Sequence, residues 1–253
     1  MTYEKVVTRR QLLAGLSTGL MAGEAFLQTV ETAHAAFSVS AGMPDKFVGP
    51  ASLWLMETWG DVFRKRLLNT PFSSALLCAF ACQESGYMWW TPLRKQYRPA
   101  DLLRLLVLDN VTPRNAFPRD TQTFLKDVRY GEIAQDLIAA SDTSREVRRI
   151  KKTGNLLFGY GLFQYDLQNI VDDPDFWFKS MPGRGGDVRG MWGDIGTSTD
   201  RFLKVLTKKY SVSGGDMDLA IARYNGGGSN AREYARIVRR FEQEALKAGV
   251  PES

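Results

Sequence analysis

The chain reads as an all-helical protein. From residue 51 onward apolar residues recur at helical spacing, and the alternating runs that mark strands are few. A third observation is the stretch Ala75–Cys82, eight residues that are apolar on every side and belong in the middle of a domain. With 44% hydrophobic and 24% charged residues, the 253-residue chain is not collagen-like, wholly disordered or a disulfide framework. Its length admits one large domain or two small ones, and the pattern is read as a single domain.

Residues 1–35 are set apart as a targeting segment. Arg9-Arg10 stand directly before a moderately apolar run, Leu12–Val30, rich in Gly, Ala, Ser and Thr and interrupted by Glu24. Ala33-His34-Ala35 then offers the small residues of a cleavage site. Together these resemble a twin-arginine export signal, and a membrane anchor would want about 20 strongly apolar residues. Three cations and three anions leave with the segment, so the mature chain keeps the net charge of +5. The expected product is soluble, periplasmic or secreted, with no stable membrane insertion after cleavage. A basic protein there favours anionic partners such as wall polymers or lipid headgroups. Nucleic acid is disfavoured, because the cations are scattered and no nucleic-acid-binding signature is present.

Residues 36–50, small and containing Gly and Pro, read as a linker, so the folded domain is expected over 51–253. Leu53, Leu55, Met56, Trp59, Val62, Phe63 and Leu67 give a first amphipathic helix. Pro71 and Ser73-Ser74 signal the start of a second, the apolar one. Helical spacing continues over Leu102–Leu108, Phe124–Ala140 and Arg145–Lys152, within a stretch (91–153) that carries no recognisable motif. Gly183–Gly196 reads as an irregular connection, since it lacks the spacing of a phosphate loop. Thr199–Tyr210, Leu219–Tyr224 and Ala231–Leu246 are helical again, the last with a solvated Arg- and Glu-rich face.

Residue content narrows the chemistry. The one histidine, His34, leaves with the export segment, which excludes Ser-His-Asp and Cys-His mechanisms from the mature chain. Cys78 and Cys82 are too few for a four-cysteine metal site. Four apart on one helix, they read as small buried hydrophobes with free thiols rather than a redox pair. No metal or organic cofactor is implied, and catalysis falls to carboxylates, hydroxyls, amides or backbone.

Glu84 is the outstanding candidate. It follows eight apolar residues, and burying a charge is costly. Desolvation and the negative end of a helix dipole would both favour a protonated carboxyl there, the form a general acid needs. Two further segments carry polar groups beside glycines: Gly159-Tyr160-Gly161-Leu162-Phe163-Gln164, and Ala222-Arg223-Tyr224-Asn225-Gly226, with Tyr234 downstream. Singly, the first is ordinary packing and the second an ordinary helix C-cap.

In this order, Glu84-Ser85, then Gly-Leu-Phe-Gln, then Tyr-Asn-Gly with a later Tyr, the segments resemble the soluble lytic transglycosylase family of the lysozyme-like superfamily. Asp173-Pro174 and Gly193-Asp194-Ile195-Gly196 through Tyr210 are similar to that family's connecting elements. The resemblance covers roughly residues 70–90 and 155–240. It departs in two places: about 75 residues separate Glu84 from the Gly-Leu-Phe-Gln element, filled by a helical insertion (91–153), and Arg223 stands where Ala is common.

The resemblance implies a lysozyme-like, all-α domain that cleaves the MurNAc–GlcNAc β-1,4 bond of peptidoglycan strands as a monomer. Glu84 would protonate the glycosidic oxygen and then help the sugar's C6 hydroxyl close a 1,6-anhydro ring. Ser85 would hold substrate or the carboxyl, and Gln164 would hydrogen-bond in the cleft. Tyr224 and Asn225 would orient Glu84 and contact sugar, and Tyr234 would line the cleft. Tyr87, Trp89, Trp90 and Tyr165 are aromatics that could stack on sugar rings. A hydrolase on the same fold would need a second carboxylate, for which Asp166 is nearest in sequence but reads better as a turn cap. A wall-binding protein without turnover is the alternative outside enzymes.

Overall fold

A computed structural model of the chain describes residues 43–91, 93–108, 116–178, 190–226 and 229–252. The expected export segment and residues 36–42 of the expected linker lie outside the described residues, as do 183–189 of the Gly-rich connection. The described residues are mostly helical, 68% against 3% strand, so the all-α class holds. Its contacts divide it into two compact units: residues up to 92 together with 203–253, and residues 93–202. The stretch read as an insertion (91–153) therefore does not stand apart. It shares a unit with the Gly-Leu-Phe-Gln element.

The first unit is built around α2 (Ser74–Trp89), which packs against α1 (Asp45–Leu67) and α10 (Ser229–Lys247). α9 (Met217–Asn225) also lies on α10, and the last turns of α8 (Ile195–Val212) belong to this unit. Ser73 starts α2 as its sequence signals: its hydroxyl accepts from the Leu76 N–H at 2.9 Å and donates to Glu242 of α10 at 3.1 Å. All sixteen residues of α2 are buried except Glu84 and Tyr87. Leu76, Leu77 and Phe80 each contribute about 1.5–3 kcal/mol by leaving water. α10 shows the complementary design, burying Ala231, Tyr234, Ala235, Val238, Phe241 and Ala245 on one stripe while its arginines stay at the edge. Helix α1 begins six residues earlier than expected, so 45–50 are helix rather than linker. Val48 and Ala51 are fully buried there, and that packing outweighs the weak local signal of Gly49-Pro50.

Cys78 and Cys82 are buried with free thiols. Burial pushes the Cys82 thiol up to about 12, with a hydrogen bond to Ser52 acting in the opposite direction.

The second unit holds α3 (Leu93–Gln96), α4 (Pro99–Leu105), α5 (Thr121–Leu125), α6 (Gly131–Val147), α7 (Asp175–Phe178), the start of α8 and a small antiparallel sheet. The sheet runs β1 (Val107–Leu108), β2 (Gly159–Tyr160), β3 (Tyr165–Asp166), with Val107 opposite Tyr160 and Tyr160 opposite Tyr165. Three expected helices change here. Leu102–Leu108 breaks at Leu106, because Val107 and Leu108 take their hydrogen bonds from β2. Phe124–Ala140 splits, and a Cβ at Gly131 would lie 2.8 Å from the Leu125 carbonyl oxygen, so only glycine lets α6 start that close to the end of α5. Arg145–Lys152 ends at Val147, where the chain leaves the helix through Arg149 in the left-handed region (φ 57°).

Candidate active site

Glu84 lies on α2 five residues before its C-terminal Trp89, not at the helix end. The dipole effect is concentrated in the terminal turn and reaches this position weakly. Nor is the carboxyl sealed in a dry pocket: it is half-buried. Each residue of a helix is turned about 100° from the last, so Glu84 and Tyr87 share a face and Ser85 turns away from it. That face is the one part of α2 that reaches the surface.

Opposite it stands α10. The Tyr234 hydroxyl donates to Glu84 Oε1 across 150 residues of sequence. Tyr234 is 2% exposed, so its ring is held by packing and its hydroxyl is delivered to the carboxylate from a fixed direction. One turn before Glu84 on the same face, Phe80 forms the floor. Its ring is 5.0 Å from Tyr224 at 67° and 6.2 Å from Tyr234 at 51°. Tyr224 and Asn225 close α9, both half-buried, before Gly226 ends the helix at φ 127°. Glu84, Tyr224, Asn225 and Tyr234 thus all fall within the first unit, with Phe80 binding the two tyrosines to α2.

No family model, curated protein or solved structure matches the chain. What the site can do therefore rests on its own geometry.

Several expected members have other work. Ser85 is fully buried and its hydroxyl meets the Ala81 carbonyl one turn back at 3.4 Å, leaving it no surface to offer a sugar. Trp89 is 1% exposed, stacked on Trp54 at 5.5 Å, and is core rather than sugar platform. Tyr165 is buried in the second unit, its hydroxyl 3.3 Å from Asp173. Burial and the neighbouring Asp173 push that phenol up. Asp173 in turn receives both arms of Arg201, so the Asp-Pro element is a structural anchor. Arg223, the departure from the family pattern, bonds the Val212 carbonyl and the Ser213 hydroxyl at the end of α8. It caps a neighbouring helix.

Gln164 belongs to the second unit, where Gly161–Gln164 form the four-residue turn between β2 and β3. It is 4% exposed, sits at φ 52°, and its amide donates to the carbonyls of Gly161 (2.7 Å) and Leu106 (3.2 Å). A Cβ on Gly159 would lie 2.3 Å from Gln164 Oε1, so the glycine is what allows the side chain to fold over its own hairpin. Asp166 caps the 3-10 turn Leu167–Val171 by accepting from the Gln168 N–H at 2.8 Å, as its spacing predicts.

The residue that sequence reasoning missed is Phe80. It is hidden in an apolar run, and the signal that could have found it is its spacing of four from Glu84. A groove of about 720 Å³ in the same unit, lined by Leu68, Ser73, Arg239 and Glu242 among others, opens at the N-terminal end of α2. At 1.5 Å per residue that end is roughly 15 Å along the helix from Glu84, so the groove is separate from this site.

Proposed function

We propose that the chain is an exported, lysozyme-like lytic transglycosylase that cleaves the MurNAc–GlcNAc β-1,4 bond of peptidoglycan without added water. The observation that carries the reading is the hydrogen bond from Tyr234 to Glu84, which joins the first and last elements of the motif series on the only exposed face of a buried helix. A carboxyl oriented by a packed tyrosine, with a second tyrosine held on the same phenylalanine one turn away, suits a single acid–base group. In the proposed reaction Glu84 gives its proton to the glycosidic oxygen as the bond to C1 breaks. It then takes the proton of the C6 hydroxyl as that oxygen closes onto C1. One carboxylate suffices because the nucleophile is part of the substrate, and well-oriented intramolecular attack has effective concentrations of roughly 10⁵–10⁸ M. Tyr224 and Asn225 contact sugar, and Tyr234 holds the carboxyl.

The test is digestion of purified peptidoglycan followed by mass spectrometry of the products. Wild type is expected to release fragments one water lighter than hydrolysis products, and Glu84→Gln to release them about 10²- to 10⁴-fold more slowly. Products of hydrolytic mass would replace this reaction by that of a muramidase, and clearance by Glu84→Gln at the wild-type rate would remove Glu84 from the mechanism.

A further inference from the structure

Helix α6 ends in a feature that neither the fold nor the Glu84 site requires. Five consecutive residues after it, Arg148-Arg149-Ile150-Lys151-Lys152, include four cations. The chain leaves the helix by a Schellman turn: the Arg149 N–H bonds the Glu146 carbonyl and the Ile150 N–H bonds the Arg145 carbonyl, both at 2.8 Å. The position that takes the left-handed conformation in such a turn is usually glycine. Here it is Arg149 at φ 57°, a conformation that L side chains disfavour. The next position normally tucks an apolar side chain back against the helix. Ile150 instead stays 50% exposed.

The loop is nonetheless tied down. Asp142 accepts from the Thr153 N–H at 3.1 Å and the Gly154 N–H at 3.2 Å, and Arg145 bridges Asp142 (2.9 Å) to the Asn155 carbonyl (2.6 Å). Arg148 donates to the Ser144 carbonyl, and Lys152 lies 2.8 Å from Glu146 in an exposed ion pair that water screens. Arg149, Ile150 and Lys151 are exposed at the tip. The result is a braced projection that carries one aliphatic side chain between two pairs of cations.

We infer that this loop, 148–152, docks the protein reversibly on an anionic lipid surface, with the cations at the headgroups and Ile150 in the acyl boundary. Charge alone would fit any polyanion. The exposed isoleucine at the centre of the cations is what favours a bilayer, because only a bilayer offers an apolar layer directly beneath an anionic one. Among the described residues no helix is long and apolar enough to cross a membrane. The inference is independent of the role given to Glu84.

The experiment is co-sedimentation of the full chain with vesicles of phosphatidylcholine alone or mixed with phosphatidylglycerol, at low and high salt. Wild type is expected to bind only the anionic vesicles and to release as salt shortens the Debye length from about 10 Å toward 3 Å. Each cation at such a surface changes partition by about fivefold, so Arg149→Gly with Lys151→Ala is expected to weaken binding about 25-fold. Arg149→Gly suits the left-handed turn and should melt no lower than wild type, which separates loss of docking from loss of fold. Ile150→Ser is expected to weaken binding about three- to tenfold. Glu84→Gln should bind vesicles like wild type. The inference fails if wild type ignores anionic vesicles, or if the Arg149/Lys151 variant binds as well as wild type. It also fails if Ile150→Ser is without effect while soluble polyphosphate competes, since the loop would then be a polyanion site.

Discussion

The sharpest prediction concerns Tyr234→Phe. The substitution keeps the ring against Phe80, 6.2 Å away, and deletes only the hydroxyl that donates to Glu84. A hydrogen bond to a charged group is worth about 1.5–3 kcal/mol when the site is closed to water. Glu84 is half-buried, so a water molecule can replace part of the lost donor. The loss is then about 1–2 kcal/mol, which at 1.36 kcal/mol per decade corresponds to about 5- to 30-fold in kcat/KM. Removing the acid itself, Glu84→Gln, is expected to cost about 10²- to 10⁴-fold.

The assay is the release of anhydro-ended fragments from purified peptidoglycan, followed as initial rates for wild type, both single variants and the double variant. If Tyr234 acts by positioning Glu84, its hydroxyl has nothing left to position in the Glu84→Gln background. The double variant should then be no slower than Glu84→Gln alone. Two results would rule out a positioning role for Tyr234: wild-type rates from Tyr234→Phe, or a double variant that multiplies the two single losses. The first would make the hydrogen bond incidental, and the second would give Tyr234 a role of its own on the substrate.

Other consequences concern the frame around the site. Leu77 is fully buried in α2, so Leu77→Ala is expected to destabilise by about 2–5 kcal/mol, read as a lower urea midpoint with an unchanged slope. Cys78 and Cys82 should not react with a thiol reagent at neutral pH until the protein is unfolded, when both react; burial holds the Cys82 thiol at about 12. Burial of Asp142 acts to raise its carboxyl, but the Thr153 N–H, Arg145 and the Gly154 N–H outweigh it and hold the group below its ordinary value. A carboxyl held low stabilises above its unfolded value, near 4, and that contribution is lost as pH falls through the lower folded value. The gap in melting temperature between wild type and Asp142→Asn should therefore be full at neutral pH and close in acid.

The sequence made α2 legible because its signals are local: a serine cap, an unbroken apolar run and an acid that interrupts it. The helix boundaries that failed depend on partners far along the chain. Val107–Leu108 has helical spacing but finds β2 about 50 residues later, and the hydrogen bonds of that pairing decide its form. Phe124–Ala140 and Arg145–Lys152 are periodic as written. A close approach at Gly131 divides the first, and the Schellman turn with Asp142 behind it cuts the second short. Periodicity describes which face could be buried, and the neighbours decide where the backbone stops being a helix.

The same distinction sorts the candidate site. Glu84 and Tyr234 were legible as residue types in an order, and their hydrogen bond is a contact the order alone does not specify. Ser85 and Trp89 share the segment of Glu84 but lie on inward faces of the same helix, so adjacency in sequence put them on opposite sides of a structural divide. Gln164 has its amide committed to its own hairpin through two backbone carbonyls. A side chain that already closes a turn in this way acts first by shaping the chain around it. The discriminating feature is thus which polar groups remain at a surface while their neighbours are consumed by the fold. On α2 that leaves Glu84 and Tyr87. Tyr234, itself buried, spends its hydroxyl on one of them, directed at a half-buried carboxylate rather than at a partner inside the core. The arrangement makes better sense as the fixing of a reactive group than as reinforcement of a core that is already closed.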